Sequence, residues 1–339
     1  MSQSDSPIAP PTGSPAGTPG AAALPWLAHV PVPLFALTMG LAGLGLAWRA
    51  AGHVLAWPAM IGEAILALSA FTFLATAALY GTKAVRFPQA VKAEFQHPVR
   101  ANFFPTIPIC LVLMATAAQP HWPGLALPLW CVGVVAQVGL SLAILGRWIV
   151  RNTEIHHSNP SWFIPVVGNI LAPVAGVPLG QVEVSWFLFS IGLVLWVLLF
   201  VIVFYRIVFH DQMPTKFLPT LFILMAPPGV GYLSLVALNG GEMDMLARVL
   251  FFFGLFLALL LATMARLFAS LPFSIAWAAY TFPTASMAAA ALRYHGLTGG
   301  AVSGAIALVL LGLATVIITA VILRSLKAIA AGQMFLPEG

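Results

Sequence analysis

The chain has 339 residues, of which 61% are hydrophobic and only 7% are charged. Because soluble domains carry about 25% charged residues, this composition excludes an ordinary soluble fold and favours a protein of the lipid bilayer. The net charge of +5 does not indicate nucleic-acid binding, since the few basic residues lie between apolar runs and form no basic face. We therefore expect no nucleic-acid partner.

Residues 1–28 are rich in Ser, Pro, Gly and Ala and contain no Lys or Arg. A secretory signal needs a basic region before its apolar core, so we interpret 1–28 as a disordered N-terminal tail. Residues 29–330 are predicted to form one transmembrane domain, and 331–339 a short C-terminal tail.

Ten apolar runs are long enough to cross a bilayer, which takes roughly 20 helical residues. They lie near residues 31–49, 55–80, 103–119, 124–148, 162–179, 184–208, 217–238, 246–268, 273–293 and 299–323. The fold class we predict is an all-α integral membrane protein with ten transmembrane helices.

Proline and glycine interrupt the odd-numbered runs, whereas the even-numbered runs are almost free of internal proline. Pro105, Pro165, Pro227 and Pro283 are examples of the interruptions. Proline removes a backbone donor, which hydrocarbon does not replace, so broken helices belong where protein or water satisfies the freed groups. Because the odd runs begin about 55 to 72 residues apart, we predict five helical hairpins in a quasi-five-fold ring, with the broken helices around a central pore.

The basic residues predict the orientation. Ten spans place both termini on one side of the membrane, together with eleven of the 14 Lys and Arg residues. The positive-inside rule assigns that side to the cytoplasm.

Six stretches resemble one family of membrane proteins. They are 93–100 (AEFQHPVR), 159–165 (NPSWFIP), 224–227 (LMAP), 239–244 (NGGEMD), 277–287 (WAAYTFPTASM) and 332–336 (GQMFL). In this order and spacing they resemble the tellurite-resistance/dicarboxylate transporter family, which includes bacterial TehA-like proteins and, more distantly, plant guard-cell slow anion channels. The resemblance spans roughly residues 30–337.

The resemblance implies a homotrimer in a bacterial inner membrane, with one pore for small inorganic or organic anions in each subunit. It also implies that Phe282, on the ninth span, closes the pore. The first span departs from the bacterial pattern, because Ala36 and Thr38 stand where Gly and Pro are expected.

Small and polar residues on the odd spans are candidates to line the pore, although such residues also serve helix packing in membranes. These candidates, with the kink-forming prolines, are Thr38, Gly40, Asn102, Pro105, Thr106, Pro165, Asn169, Pro227, Ser234, Thr281, Pro283 and Ser286. Arg100 and Arg151, beside the inner ends of helices, either attract anions or only set the topology.

We expect no enzyme, cofactor or metal site, because no catalytic, nucleotide-binding or metal-ligand motif is present. The function we predict is an anion channel or channel-like permease gated by Phe282. The alternative is a proton-coupled carrier of malate, sulfite or tellurite-like oxyanions. That carrier would use Glu63, the one clear acid within a span, which otherwise has a structural or interfacial role. A membrane scaffold that transports nothing is a third hypothesis.

Overall fold

A computed structural model describes residues 26–335, and these residues form helices and connecting turns with no strand. The predicted tails fall mostly on residues 1–25 and 336–339, which lie outside the described residues. The α-helices are α1 (Leu34–Leu55), α2 (Met60–Arg86), α3 (Pro88–Gln96), α4 (Thr106–Ala118), α5 (Pro123–Val150), α6 (Phe163–Val167), α7 (Ala172–Gly176), α8 (Val182–Phe209), α9 (Ala226–Leu238), α10 (Met245–Thr263), α11 (Ala265–Ser270), α12 (Thr281–Thr298) and α13 (Ala301–Ala330).

Eight helical stretches within residues 26–335 are long and apolar enough to cross a membrane. They correspond to eight of the ten predicted spans, so the chain is a multi-pass membrane protein. The fifth predicted span is a shorter apolar stretch, Pro160–Gly176. The ninth is a 3₁₀ turn, Ile275–Tyr280, followed by α12. Ten crossings therefore stay a prediction, because Pro160–Gly176 is shorter than the eight stretches and α12 is less apolar than they are.

The odd-numbered spans are irregular where proline interrupts them. We call the stretches 34–55, 100–118, 160–176, 215–238 and 275–298 the odd segments, and we number them by the predicted spans to which they correspond, as the first, third, fifth, seventh and ninth. The last four begin with 3₁₀ turns and continue as α-helix. Pro173 and Pro227 occupy the first turns of α7 and α9, where the missing amide hydrogen would have had no intrahelical acceptor.

Burial separates the odd segments from the long, regular helices. In their most apolar windows, three odd segments are 83%, 78% and 72% buried, whereas α2, α5, α8, α10 and α13 are only 17% to 33% buried. The regular helices expose large apolar side chains, including Phe187, Val201 and Val316. A soluble protein does not expose so much apolar surface, so this outer surface fits the lipid.

Each regular helix packs against the odd segment that precedes it in the chain. The odd segments also contact one another: α1 packs on α4 and α12, α4 on α7, and α9 on both α7 and α12. The core of the molecule therefore lies among the odd segments.

Candidate functional site

A cavity of about 50 Å³ lies among the odd segments, and all five contribute to its wall. Its lining residues are Ala36, Met39, Phe103, Ile109, Phe163, Ile164, Val167, Gly168, Leu171, Ile223, Ala226, Val230, Ala278, Ala279, Phe282 and Pro283. The stretches that proline divides are thus brought to one place, although they are far apart in sequence.

The wall of this cavity is apolar, since none of its lining residues has a polar or charged side chain. Phe103, Phe163 and Phe282 supply three aromatic rings to it. Phe282 is 9% exposed, and Pro283 beside it also lines the cavity. A narrow apolar constriction obstructs ions both by filling space and by excluding water. The Phe282–Pro283 pair thus lies where a ring could obstruct a passage.

Small residues on α1 determine how Phe282 is seated. A methyl group on Gly43 would lie 3.2 Å from Cδ2 of Phe282, so the missing side chain makes room for the ring. A methyl group on Gly40 would collide with the side chain of Thr281. The Thr281 hydroxyl donates to the carbonyl of Ala36 at 3.3 Å and to that of Ala278 at 2.7 Å. Close packing of α1 on α12 therefore positions the ring.

The polar candidates are buried, and the donors of all of them except Thr38 are engaged within the protein. The hydroxyls of Thr106 and Ser286 donate to the carbonyls of Phe103 and Pro283, at 2.6 and 2.9 Å. The hydroxyl of Ser234 donates to the carbonyl of Ile170, in the odd segment 160–176, at 2.5 Å. None of these hydroxyls lines the cavity, so their part in a passage stays a prediction.

Two buried asparagines join the odd segments to their surroundings. Nδ2 of Asn169 donates to Ser141 at 3.1 Å, and Nδ2 of Asn102 approaches Ser161 at 3.4 Å. The Oδ1 atoms of both asparagines, and Oγ1 of Thr38, have no hydrogen-bond partner among residues 26–335. The two asparagine oxygens are acceptors only, which does not suit the binding of an anion, whereas the hydroxyl of Thr38 also carries a donor.

The remaining candidates are placed as follows. The kink residues Gly40, Pro105, Pro165 and Pro227 are buried but do not line the cavity. Arg100 is half-buried at the start of the odd segment 100–118, and Arg151 is exposed just after α5. Neither arginine reaches the cavity.

Glu63 is held by a neighbouring cation. Its carboxylate pairs with Nε and Nη2 of Arg49 at 2.6 and 2.8 Å, and Nε2 of His121 lies 3.3 Å away. Arg49 also donates to the carbonyl of Ala117 at 3.0 Å. The Arg49–Glu63 pair therefore ties α1, α2 and the end of α4 together, as a structural role predicts.

A buried ion pair that the sequence reasoning missed lies beneath the start of α1. Lys83 and Glu94 are 3% and 5% exposed, and Nζ lies 2.6 Å from Oε2. The carboxylate also accepts from the hydroxyl of Tyr80 and the amide of Val32, both at 2.8 Å, while Nζ donates to the carbonyl of Val30 at 2.7 Å. The signal was the polar helix α3 between two spans, which places an acid against the end of α2.

Comparison with known proteins identifies the family. A profile described as "Voltage-dependent anion channel" (SLAC1) matches residues 29–326. The S-type anion channel SLAH2 of Arabidopsis thaliana is 28% identical over 309 residues, which is 88% of this chain and 59% of the relative. The guard cell S-type anion channel SLAC1 of the same plant is 27% identical over 326 residues, covering 93% and 58%.

A bacterial relative matches over nearly its whole length. The tellurite resistance protein TehA homolog of Haemophilus influenzae is 24% identical over 309 residues, covering 91% of this chain and 93% of the relative. The chain thus spans about three fifths of the two plant relatives but most of the bacterial one. The resemblance found in the sequence is confirmed, and the chain belongs to the voltage-dependent anion channel family.

Proposed function

We propose that this chain is an anion channel whose pore runs between the five odd segments. The observation that carries the proposal is the apolar cavity to which all five segments contribute, with Phe282 in its wall. The family membership and the relatives described as anion channels support the choice of anions. Small inorganic or organic anions would move down their electrochemical gradient.

The packing order supports a ring around this pore. The contacts run from α1 to α4, from α4 to α7, from α7 to α9, from α9 to α12 and back to α1. Each regular helix lies against its preceding odd segment, which is the arrangement expected of five hairpins in a quasi-five-fold ring. The lower burial of the regular helices supports their place on the outside.

Phe282 is the proposed gate. Its ring lines the cavity and rests against Gly43, and it lies beside Pro283 in the first turn of α12. Rotation of this one side chain would therefore widen the passage without moving a whole helix. Family membership further supports a homotrimer in a bacterial inner membrane with cytoplasmic termini.

We do not favour the proton-coupled carrier. Glu63, the spanning acid that such a carrier would use, forms two hydrogen bonds with the guanidinium of Arg49. A carrier residue that binds and releases protons during transport would need to leave such a partner in each cycle.

The test is the substitution Phe282→Ala. We expect a several-fold larger anion current in planar bilayers or oocytes, because removing the ring widens the apolar cavity through which anions would pass. The matched control is Phe189→Ala, which removes another buried ring, on α8, that does not line the cavity.

Equal currents from Phe282→Ala and the parent, at equal expression, would show that this ring is not the gate. Membranes that stay silent for every variant would instead favour a scaffold that passes nothing.

A further inference from the structure

Arg206 is a buried cation on a lipid-facing helix. It lies in the last turn of α8 and is 2% exposed, whereas its neighbours Tyr205 and Val208 are more than half exposed. The guanidinium therefore points into the protein, on the same face of α8 as the buried residues Leu199 and Val203.

Arg206 differs from the other buried cations of residues 26–335. Lys83 is paired with Glu94, and Arg49 with Glu63. Nε and Nη1 of Arg206 have no hydrogen-bond acceptor among the described residues, and no ion pair joins Arg206 to them. Burying an unpaired charge is strongly unfavourable, so two unsatisfied guanidinium donors indicate a site for an anionic acceptor.

Helix α8, which carries Arg206, packs against the fifth odd segment, residues 160–176. Six residues earlier on α8, Phe200 stacks on the cavity-lining Phe163 with ring centroids 6.5 Å apart. Six residues of α-helix rise about 9 Å, so Arg206 lies roughly that far along the axis from this contact. Trp162, next to Phe163, carries a second buried donor, Nε1, that has no acceptor among residues 26–335.

The chain just before the fifth odd segment also reaches the end of α8. His156 lies against His210, the residue that follows α8, with ring centroids 6.0 Å apart. Two acids flank these histidines: Glu154 lies two residues before His156, and Asp211 follows His210. Both are exposed and form no ion pair with Arg206. The positive charge of Arg206 is therefore not neutralised from this side.

We propose that Arg206 binds the anionic oxygens of a small oxyanion, either a free ion such as nitrate or the phosphate of a lipid headgroup. Arginine suits this chemistry because its charged, planar donor group forms short hydrogen bonds to oxyanions. A second consequence rests on the proposed channel function. The uncompensated charge raises the potential near the inner end of the fifth segment, which favours anions over cations in the passage.

The binding site is tested on the full-length protein in neutral detergent, by thermal unfolding. We expect added sodium nitrate, or short-chain phosphatidylglycerol with phosphatidylcholine as its zwitterionic reference, to raise the unfolding temperature. Arg206→Gln should raise the ligand concentration that gives half of the maximal stabilisation by about tenfold or more. A response to nitrate identifies the free ion, and a response to phosphatidylglycerol alone identifies the headgroup.

Two variants make the outcome decisive. Arg206→Lys keeps the charge and should retain part of the stabilisation, whereas Arg266→Gln removes an exposed cation and should leave it unchanged. Arg206→Gln without anion should unfold at or above the parent temperature, because a buried unpaired charge is gone. Equal responses of the parent and Arg206→Gln to both ligands would overturn the site.

The effect on selectivity is measured separately, as the reversal potential of Phe282→Ala under a salt gradient. Adding Arg206→Gln should shift that potential towards the value for cations. An unchanged potential would overturn the selectivity role. Absence of current would instead count against the channel, while the unfolding measurements would still test the site.

Discussion

The absence of a side chain at Gly40 determines how closely α1 approaches α12. Any Cβ there would collide with Thr281, whose hydroxyl bonds to α1 across the contact. Close helix contact through small residues is the usual means of packing in membranes, since lipid supplies no hydrophobic force between helices. The residue next to Thr281 is Phe282, so the same contact positions the proposed gate.

We predict that Gly40→Ala destabilises the protein by about 1–3 kcal/mol, because the added methyl group overpacks the α1–α12 contact. The midpoint of thermal unfolding in detergent should fall accordingly. Gly139→Ala is the control, since a methyl group on this glycine of α5 would meet no atom within 4 Å. Equal midpoints for the two variants would contradict the close contact.

Between elements, the Lys83–Glu94 pair connects α2, α3 and the residues that lead into α1. The carboxylate of Glu94 accepts three hydrogen bonds, from Lys83, Tyr80 and the amide of Val32. A buried pair is costly to desolvate, but once it is formed each partner depends on the other. The pair therefore holds the start of the first odd segment in place.

Glu94→Gln should destabilise the protein by about 3–5 kcal/mol, because it leaves the buried ammonium of Lys83 without a counter-charge. The midpoint of thermal unfolding measures the effect, and the exposed Glu183→Gln serves as the control. Replacing both partners by apolar residues should restore much of the loss. A Glu94→Gln protein as stable as the control would refute the pair's structural importance.

The sequence patterns predicted the helices and their breaks better than they predicted the contacts between helices. The prolines correctly indicated breaks in four of the five odd segments, because a missing amide and a fixed φ act locally, whereas the first, α1, is one continuous helix from Leu34 to Leu55. The pairing of Lys83 with Glu94 and the seating of Phe282 on Gly43 depend on how separate helices meet. Periodicity does not encode such contacts, and Phe282 was distinguished from 22 other phenylalanines of the 23 only by resemblance to a family.

On the scale of the whole molecule, buried charge and exposed charge have different roles. Most basic residues lie at helix ends and predict the orientation, whereas Arg206 shows its distinct environment only in the folded chain. In the sequence, the position of Arg206 near the end of α8 is already explained by membrane topology. The sequence therefore did not distinguish a topological role from an anion-binding one.

The orientation predicts which loops are accessible from each side. In a Cys131→Ala background, which removes the exposed native thiol, Thr153→Cys should lie in the cytoplasm and Glu242→Cys outside. A membrane-impermeant maleimide should label only Glu242→Cys in intact spheroplasts, and both variants after lysis. The reverse pattern would show that the positive-inside rule fails for this chain.

The hydrocarbon wall of the central cavity has a consequence for which ions pass. Such a wall offers nothing to replace the water molecules that an ion loses on entering, so each ion must meet most of its own dehydration cost. We therefore expect permeability to follow ease of dehydration, with thiocyanate and nitrate ahead of chloride and chloride ahead of fluoride. Bi-ionic potentials of Phe282→Ala would measure this sequence, and a preference for fluoride would mean that polar groups line the conducting path.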